Sequence, residues 1–584
     1  MTAAWRRRFL APSVSTPLWA LDAPDRLMYR SNASGKWELH TWDRTTGVRT
    51  QATERPEGTL QGAIDRTGKW VWWFDDERGN ELGRWMIQPF AGGEARVAAP
   101  DVPQAYTTGL TPCRSFAVMG LSLMESGTRV YIVQLGARSR LIYQHRQWAG
   151  EPDVSRDESL ICLTHAERGD MLHPALRVFT PTGRTVADLD DGPECGLTSL
   201  GWSPVAGDNR LLVLHERRDA PALLVWSAQS GDLRELPIDL QGDVEGADWY
   251  PDASEILVRR TYRGRSELYR YNLSSESLRR IPTGPGTVRV ARVRPNGEVW
   301  YGWSSSSAPP EVRAGDGVLF RPPGDPAPAG VAYSDHDVAG VHFFIAEPER
   351  PRPHPTIFMV HGGPTAADLD IYHPAVQAWV DHGFAVLLVN YRGSTGYGRA
   401  WRDALQGDPG FPELKDIAAA HDWVHASGIA DPARVILSGE SWGGYLTLLG
   451  LGVQPERWSL GIAAIPMADC AMAYEDVAEP LQAYFRALFG GPPSEVQALY
   501  AERSPLTHAG RIRVPVMILA GENDPRCPIR QIEHYTARLE ELGKPYELYR
   551  FNLGHGSAVV QETVRQVEAQ IAFAARCLGT PAPE

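Results

Sequence analysis

The chain has no long apolar run: nothing in its 584 residues approaches the about 20 consecutive apolar residues that a membrane-spanning helix needs. A membrane partner is therefore not expected. A secretory leader lacks its middle part. Arg6, Arg7 and Arg8 stand near the start, but Ala11-Pro12-Ser13-Val14-Ser15-Thr16-Pro17 is broken by prolines where an apolar segment should follow. A cytoplasmic protein is the expectation. Cysteine is scarce. Cys113, Cys162, Cys195, Cys470, Cys527 and Cys577 are scattered, with no C-x-x-C spacing, which points to neither a zinc site nor a disulfide framework. Excess positive charge is missing too, and a net charge of −13 disfavours nucleic acid as a partner. His421 and His425 stand at i and i+4, yet no glutamate completes H-E-x-x-H, so no metal and no cofactor are expected.

What is present is the composition of a folded protein, 43% hydrophobic and 22% charged. A chain of 584 residues is too long for one core, so two or more domains are expected. The first part has the rhythm of an all-β domain. Short alternating runs recur at Trp37–Trp42, Arg84–Ile87, Arg129–Val133, Leu176–Phe179, Leu223–Trp226, Leu268–Tyr271 and Glu298–Tyr301. Their spacing of roughly 45 residues is the length of a four-stranded propeller blade, and the pattern predicts a β-propeller, with seven blades. Arg321-Pro322-Pro323-Gly324-Asp325-Pro326 is a Pro/Gly cluster suited to a linker. Beyond it strands and helices alternate, which predicts a mostly parallel sheet. The expected organisation is an N-terminal segment over 1–15, a propeller over 16–322 and an α/β-hydrolase domain over 323–584.

The chemistry is carried by Gly439-Glu440-Ser441-Trp442-Gly443. It follows an apolar strand, Val435-Ile436-Leu437, and opens an apolar helix at Tyr445-Leu446. G-x-S-x-G between a strand and a helix is a nucleophile elbow, in which flanking glycines permit a turn tight enough to leave the serine hydroxyl clear of the backbone. Partners follow in the order Ser, Asp, His. Asp524 comes just after the hydrophobic strand Val514–Gly521, and His555 lies in the loop Asn552-Leu553-Gly554-His555-Gly556. A serine hydroxyl needs a base to take its proton, and a carboxylate fixes the tautomer of that base. Gly363, in His361-Gly362-Gly363-Pro364, and Trp442, after the nucleophile, are the candidate backbone donors to an oxyanion. Between elbow and acid, Tyr474, Phe485, Leu488 and Phe489 are candidates for an apolar substrate pocket, with Gln482 to Phe489 reading as helical. Arg526 is a candidate partner for a substrate carboxylate.

Together with Asn390-Tyr391-Arg392-Gly393-Ser394-Thr395-Gly396-Tyr397-Gly398, these residues resemble the prolyl oligopeptidase family of serine peptidases, and most closely its acylaminoacyl-peptidase branch. The similarity is strongest over about 350–560. It implies a propeller capping the hydrolase site, cleavage of short peptides through an acyl-enzyme, and an N-terminal segment around Trp5 to Leu10 packed on the hydrolase domain. Short peptides are the expected partners, and self-association is left open. Within this frame a blocked-peptide exopeptidase or oligopeptidase leads, with preference for a large apolar residue on the acyl side. A dipeptidyl aminopeptidase, a carboxypeptidase and a carboxylesterase stay open; Glu440 beside the nucleophile gives the last of these some weight. A non-catalytic scaffold would need a broken triad.

Overall fold

A computed structural model describes residues 3–123 and 126–580. Residues 1–2 of the expected N-terminal segment and 581–584 of the expected hydrolase domain lie outside the described residues. From Leu18 to Phe320 the chain forms successive antiparallel quartets of strands, each quartet made of consecutive segments. The first six runs named above fall on the third strand of their quartets, and the seventh falls on the second strand, Val299–Ser305. The expectation of seven separate blades is corrected by the hydrogen bonding. Five quartets are independent four-stranded sheets, and the remaining strands form one eight-stranded sheet. There the strand Leu82–Pro89 pairs with Ala105–Pro112 through Leu82↔Tyr106 and Gly83↔Ala105, a join between neighbours that alternation alone does not reveal.

The first and last quartets meet by packing. No strand of one enters the sheet of the other. Leu27, Tyr29 and Trp42 share a buried cluster with Trp300, Val312 and Phe320. Tyr29 and Trp42 each bring a ring to 5.1 Å from Phe320, and Trp19 meets Trp300 edge-on at 5.8 Å. Aromatic pairs at these separations contribute beyond their buried area.

The last propeller strand ends at Phe320 and the first strand of the second sheet begins at Ser334. This sheet has eight strands in the order Ser334–Val338, Val341–Ala346, Ala385–Asn390, His354–Val360, Ala430–Glu440, Leu460–Ala464, Val516–Gly521, Tyr546–Phe551. The first two pairings are antiparallel, and those from Ala385–Asn390 onward are parallel. Apolar layers cover both faces, one built around Leu437, Leu446 and Ile518, the other around Trp379, Ile436 and Ile571. The short helix Ala4–Leu10 belongs to the second layer through Trp5. Seven residues are too few for a helix to persist alone. It is held by Arg8, which donates to both carboxylate oxygens of Asp381 at 2.7 and 2.8 Å and to Tyr372 Oη at 2.9 Å.

Candidate active site

The elbow dictates the rest of the site. Ser441 has φ 57° and ψ −118°, a strained conformation for a residue with a side chain, and it caps the helix Trp442–Val453. Its neighbours have no room for side chains. A Cβ on Gly443 would stand 2.8 Å from Val360 C and 2.9 Å from His361 O; one on Gly439 would stand 2.8 Å from Gly443 Cα. The strand Ala430–Glu440 and the helix therefore approach closely enough to present Ser441 at the C-terminal edge of the sheet.

Ser441 Oγ lies 2.9 Å from His555 Nε2, and His555 Nδ1 lies 2.8 Å from Asp524 Oδ2. An ionised carboxylate only accepts, so Nδ1 carries the proton and the Nε2 lone pair faces the hydroxyl. The Asp524 side chain is 1% exposed, and the backbone N–H groups of Arg526 and Cys527 donate to its Oδ1 at 2.8 and 2.9 Å. The loops after Val516–Gly521 and Tyr546–Phe551 thus bring together two residues 31 positions apart and deliver them to a serine more than 80 positions earlier.

The glycine loop reaches the same point. A Cβ on Gly362 would lie 3.2 Å from Ser441 Cβ and 3.7 Å from Trp442 N, so this backbone runs directly beside Ser441. Trp442 N is in the first turn of its helix, where N–H groups lack intrahelical acceptors. The Trp442 ring is fixed by its Nε1–H, which donates to Glu413 Oε1 at 3.2 Å; Glu413 Oε2 also accepts from Gly410 N at 2.7 Å. Burial raises the Glu413 pKa to about 8.

The Asn390–Ser394 block turns out to be the scaffold of this loop. Asn390 exchanges two hydrogen bonds with the Asp368 backbone at 2.8 and 3.0 Å. Tyr391 stacks on His361 at 4.2 Å and donates to its carbonyl at 2.9 Å. Arg392 holds Asp416 bidentately at 2.8 and 2.9 Å. Ser394 Oγ lies 2.9 Å from His361 Nε2, while His361 Nδ1 donates to Gly362 O at 2.8 Å. Burial drops the His361 pKa to about 4, which keeps the ring neutral and this arrangement intact.

The helix Glu479–Phe489 borders the glycine loop through Tyr484 Oη, 3.3 Å from Thr365 Oγ1. Of the pocket candidates, Leu488 and Phe489 lie in the core at 2% and 1% exposure, Phe489 stacked on Tyr500 at 4.2 Å. Phe485 is also buried, and Tyr474 is half-buried with its hydroxyl accepting from Arg486 at 3.1 Å. Arg526 is engaged by the propeller: its Nε donates to Glu81 Oε1 at 2.8 Å. His421 and His425 face each other at 3.0 Å, with Arg457 and Asp422 beside them.

Sequence reasoning left several residues unassigned. Glu81 and Gly79, on a propeller hairpin, meet Arg526 and the His555 loop. A cavity of about 590 Å³ lies between propeller and hydrolase, lined by Trp148, Glu151 and Glu245 on one side and Thr395, Arg399 and Arg402 on the other. Its hydrolase side is tied to the glycine loop by Thr395 N, which donates to Ala366 O at 2.9 Å. Glu151 has φ 52° at a register shift in its strand, and its carboxylate has no hydrogen-bond partner among the described residues. The side chain is exposed to the cavity, and partial desolvation there holds its pKa above the usual range. No signal in a single sequence marks such a bulge.

An α/β-hydrolase domain with a Ser–His–Asp constellation, joined to a β-propeller, defines the class of protein. Residues 372–581 match the model of the prolyl oligopeptidase family. Among curated relatives, the dipeptidyl aminopeptidase BIII of Pseudoxanthomonas mexicana is 31% identical over 232 residues, 39% of this chain and 34% of its own length. The acylamino-acid-releasing enzyme of Rattus norvegicus is 29% identical over 334 residues, 51% of this chain and 45% of its own. The match therefore spans less than half the length of either relative. The crystal structure of puromycin hydrolase superposes with a TM-score of 0.84 at 22% identity, covering 100% of this chain and 97% of that one. An acylaminoacyl peptidase in complex with Z-Gly-Gly-Phe-chloromethyl ketone gives 0.72 at 16% identity, covering 99% and 98%. At such identities these structures speak for the fold. Among the described residues no helix is long and apolar enough to cross a membrane.

Proposed function

We propose that this protein is a serine peptidase that cleaves short peptides through an acyl-enzyme. Ser441 attacks the scissile carbonyl as His555 takes its proton, and His555 then protonates the leaving amine. Asp524 holds the imidazole in the required tautomer and stabilises it when charged. The N–H groups of Gly363 and Trp442 receive the oxyanion. The observation that carries this reading is the unbroken hydrogen-bonded line from Ser441 Oγ through His555 to Asp524 at 2.9 and 2.8 Å, set on a strained elbow. Phe485 lies on the helix Glu479–Phe489, which meets the glycine loop through Tyr484, and with Tyr474 nearby in sequence it supports a preference for a large apolar residue on the acyl side. The free thiols agree with a reducing, cytoplasmic setting.

The leading assignment is an acylaminoacyl-peptidase-like exopeptidase or oligopeptidase. Glu151 favours a second reading, an aminopeptidase, because a partnerless carboxylate in the interdomain cavity suits a free ammonium group. The carboxypeptidase reading is less favoured, since Arg526 is paired with Glu81. The test is fluorophosphonate labelling together with peptide profiling on free and acetylated N-termini. Wild type should label at Ser441 and cleave; Ser441→Ala should do neither, with a loss of about 10⁶-fold in turnover. An unlabelled wild type, or an active Ser441→Ala, would refute the reading. Preference for acetylated or free termini decides between the two peptidases.

A further inference from the structure

Cys527 stands at the site, yet the proposed peptide chemistry gives it no role. Its thiol makes no hydrogen bond among the described residues, and burial holds the thiol pKa well above its ordinary value, so it is not poised as a nucleophile. It does have neighbours of the right kind for something else. One ligand atom each from Asp524, Cys527 and His555 lies within 4.8 Å of the other two. Oxygen, sulfur and imidazole nitrogen together suit zinc-type cations; calcium and magnesium take oxygen. With zinc bonds of about 2.0–2.3 Å, tetrahedral ligand atoms stand roughly 3.3–3.6 Å apart, so closing the set needs movements of no more than about 1.5 Å. The local charge favours a cation. Glu440, next to Ser441 in the chain, has no hydrogen-bond partner among the described residues, while the nearby Arg526 is paired with Glu81.

We propose that Asp524, Cys527 and His555 form an inhibitory binding site for a zinc-type divalent cation. The inhibitory part rests on the reading of His555 as the catalytic base. The Cys527 thiol releases its proton to solvent and binds as thiolate; a ring nitrogen of His555 supplies a lone pair, and no electron is transferred. Both ring nitrogens are already engaged, Nδ1 by Asp524 and Nε2 by Ser441. The cation must break one of those bonds, so metal and working triad exclude each other.

The test is a cobalt titration of the full-length protein, wild type against Cys527→Ser, with zinc inhibition measured against each protein's own metal-free rate. Wild type should show the near-ultraviolet thiolate-to-cobalt band and Cys527→Ser should lack it. Zinc inhibition should weaken at least about tenfold in the variant, since even outer-shell changes cost that much. An identical band and identical inhibition in both proteins, or no thiolate band in wild type, overturns the proposal. Should Cys527→Ser melt early, two measurements decide: Cys527→Val under the same titration, and zinc protection of Cys527 from iodoacetamide in wild type. Alkylation unchanged by zinc overturns the site. A protein that binds cobalt through Cys527 but hydrolyses nothing keeps the site and refutes the peptidase reading.

Discussion

Gly554→Ala tests whether the propeller helps to hold His555, the proposed base. Gly554 precedes His555 and lies against the backbone of Gly79 in the propeller hairpin. An added Cβ would stand 2.5 Å from Gly79 C and 3.1 Å from Gly79 Cα, and closer still to the Gly79 carbonyl oxygen. The nearer carbon contact is about 1 Å short of the ~3.5 Å at which carbon atoms pack. Both obstacles are backbone, so no side chain can swing aside. Either the hairpin or the His555 loop must retreat by about 1 Å, and the hairpin is anchored to the hydrolase by Glu81 and Arg526. His555 Nε2 has only the 2.9 Å line to Ser441 Oγ to lose. A misplacement of about 1 Å at a reacting group costs about 100-fold. The expected outcome is a fall in kcat of about 100-fold, with slower fluorophosphonate labelling and a melting curve close to wild type. Gly543→Ala is the control. Its φ is positive, 63°, unlike that of Gly554, and its added Cβ would meet nothing within 4 Å. Its cost should be confined to about 1–2 kcal/mol of backbone strain, with activity retained. Near-normal kcat in a folded Gly554→Ala protein would refute the reasoning.

Two further predictions rest on buried titratable groups. Glu413→Gln should keep most activity, because burial already holds this carboxyl near pH 8 and an amide oxygen can still accept from Gly410 N or Trp442 Nε1; Glu413→Ala, which removes both acceptors, should cost about 2–4 kcal/mol of stability in a thermal or denaturant melt, and equal melts for the two variants would contradict this. His173, from the propeller, reaches Asp403 of the hydrolase at 3.2 Å and Asp170 at 3.2 Å; burial opposes its charge, but these bonds win and lift its pKa from 6.5 to about 9. Its contribution is therefore complete below about pH 6.5 and drains away as the pH rises through about 9. His173→Gln should destabilise by about 2 kcal/mol at pH 6 and much less at pH 10, and a cost independent of pH in that range would remove the charged pair from the account.

The hydrogen-bonded line Ser441–His555–Asp524 was legible because its parts obey chain-local rules: an elbow between strand and helix, an acid after one strand, a histidine after the next. The Asn390–Ser394 block was legible as a pattern, but its purpose was not. Only the fold shows that Tyr391, Ser394 and Asn390 brace the loop of His361–Gly363. The propeller rhythm gave the strands and missed the join at Leu82↔Tyr106, since alternation is blind to which neighbours share hydrogen bonds. The helix around Phe485 was legible from spacing, whereas the depth of Leu488 and Phe489 was not: an apolar stripe reads the same whether it faces a core or a pocket. Arg526 shows the limit most clearly. Its partner Glu81 lies 445 positions away, beyond any local pattern.

That distance matters for how the molecule is built. The three residues of the constellation all stand on the hydrolase domain, but the segment that carries His555 touches the propeller on both sides. Before it, Gly554 abuts Gly79, and Glu81 takes Arg526 two residues after Asp524. After it, Trp37 N donates to Ala558 O at 2.9 Å and Val560 N donates to Gly35 O at 3.0 Å. A propeller that served only to keep large substrates out would need a rim around the site and no contact with the base. Here it supplies backbone hydrogen bonds and a glycine-to-glycine contact within a few residues of that base, at positions where neither side tolerates a Cβ without moving. A change in how the two domains meet therefore reaches His555 before it reaches Ser441, whose neighbours Gly362 and Ala464 belong to the hydrolase domain. Nucleophile and base are thus held by different parts of the molecule, and the 2.9 Å between them is where the two domains' positions are combined.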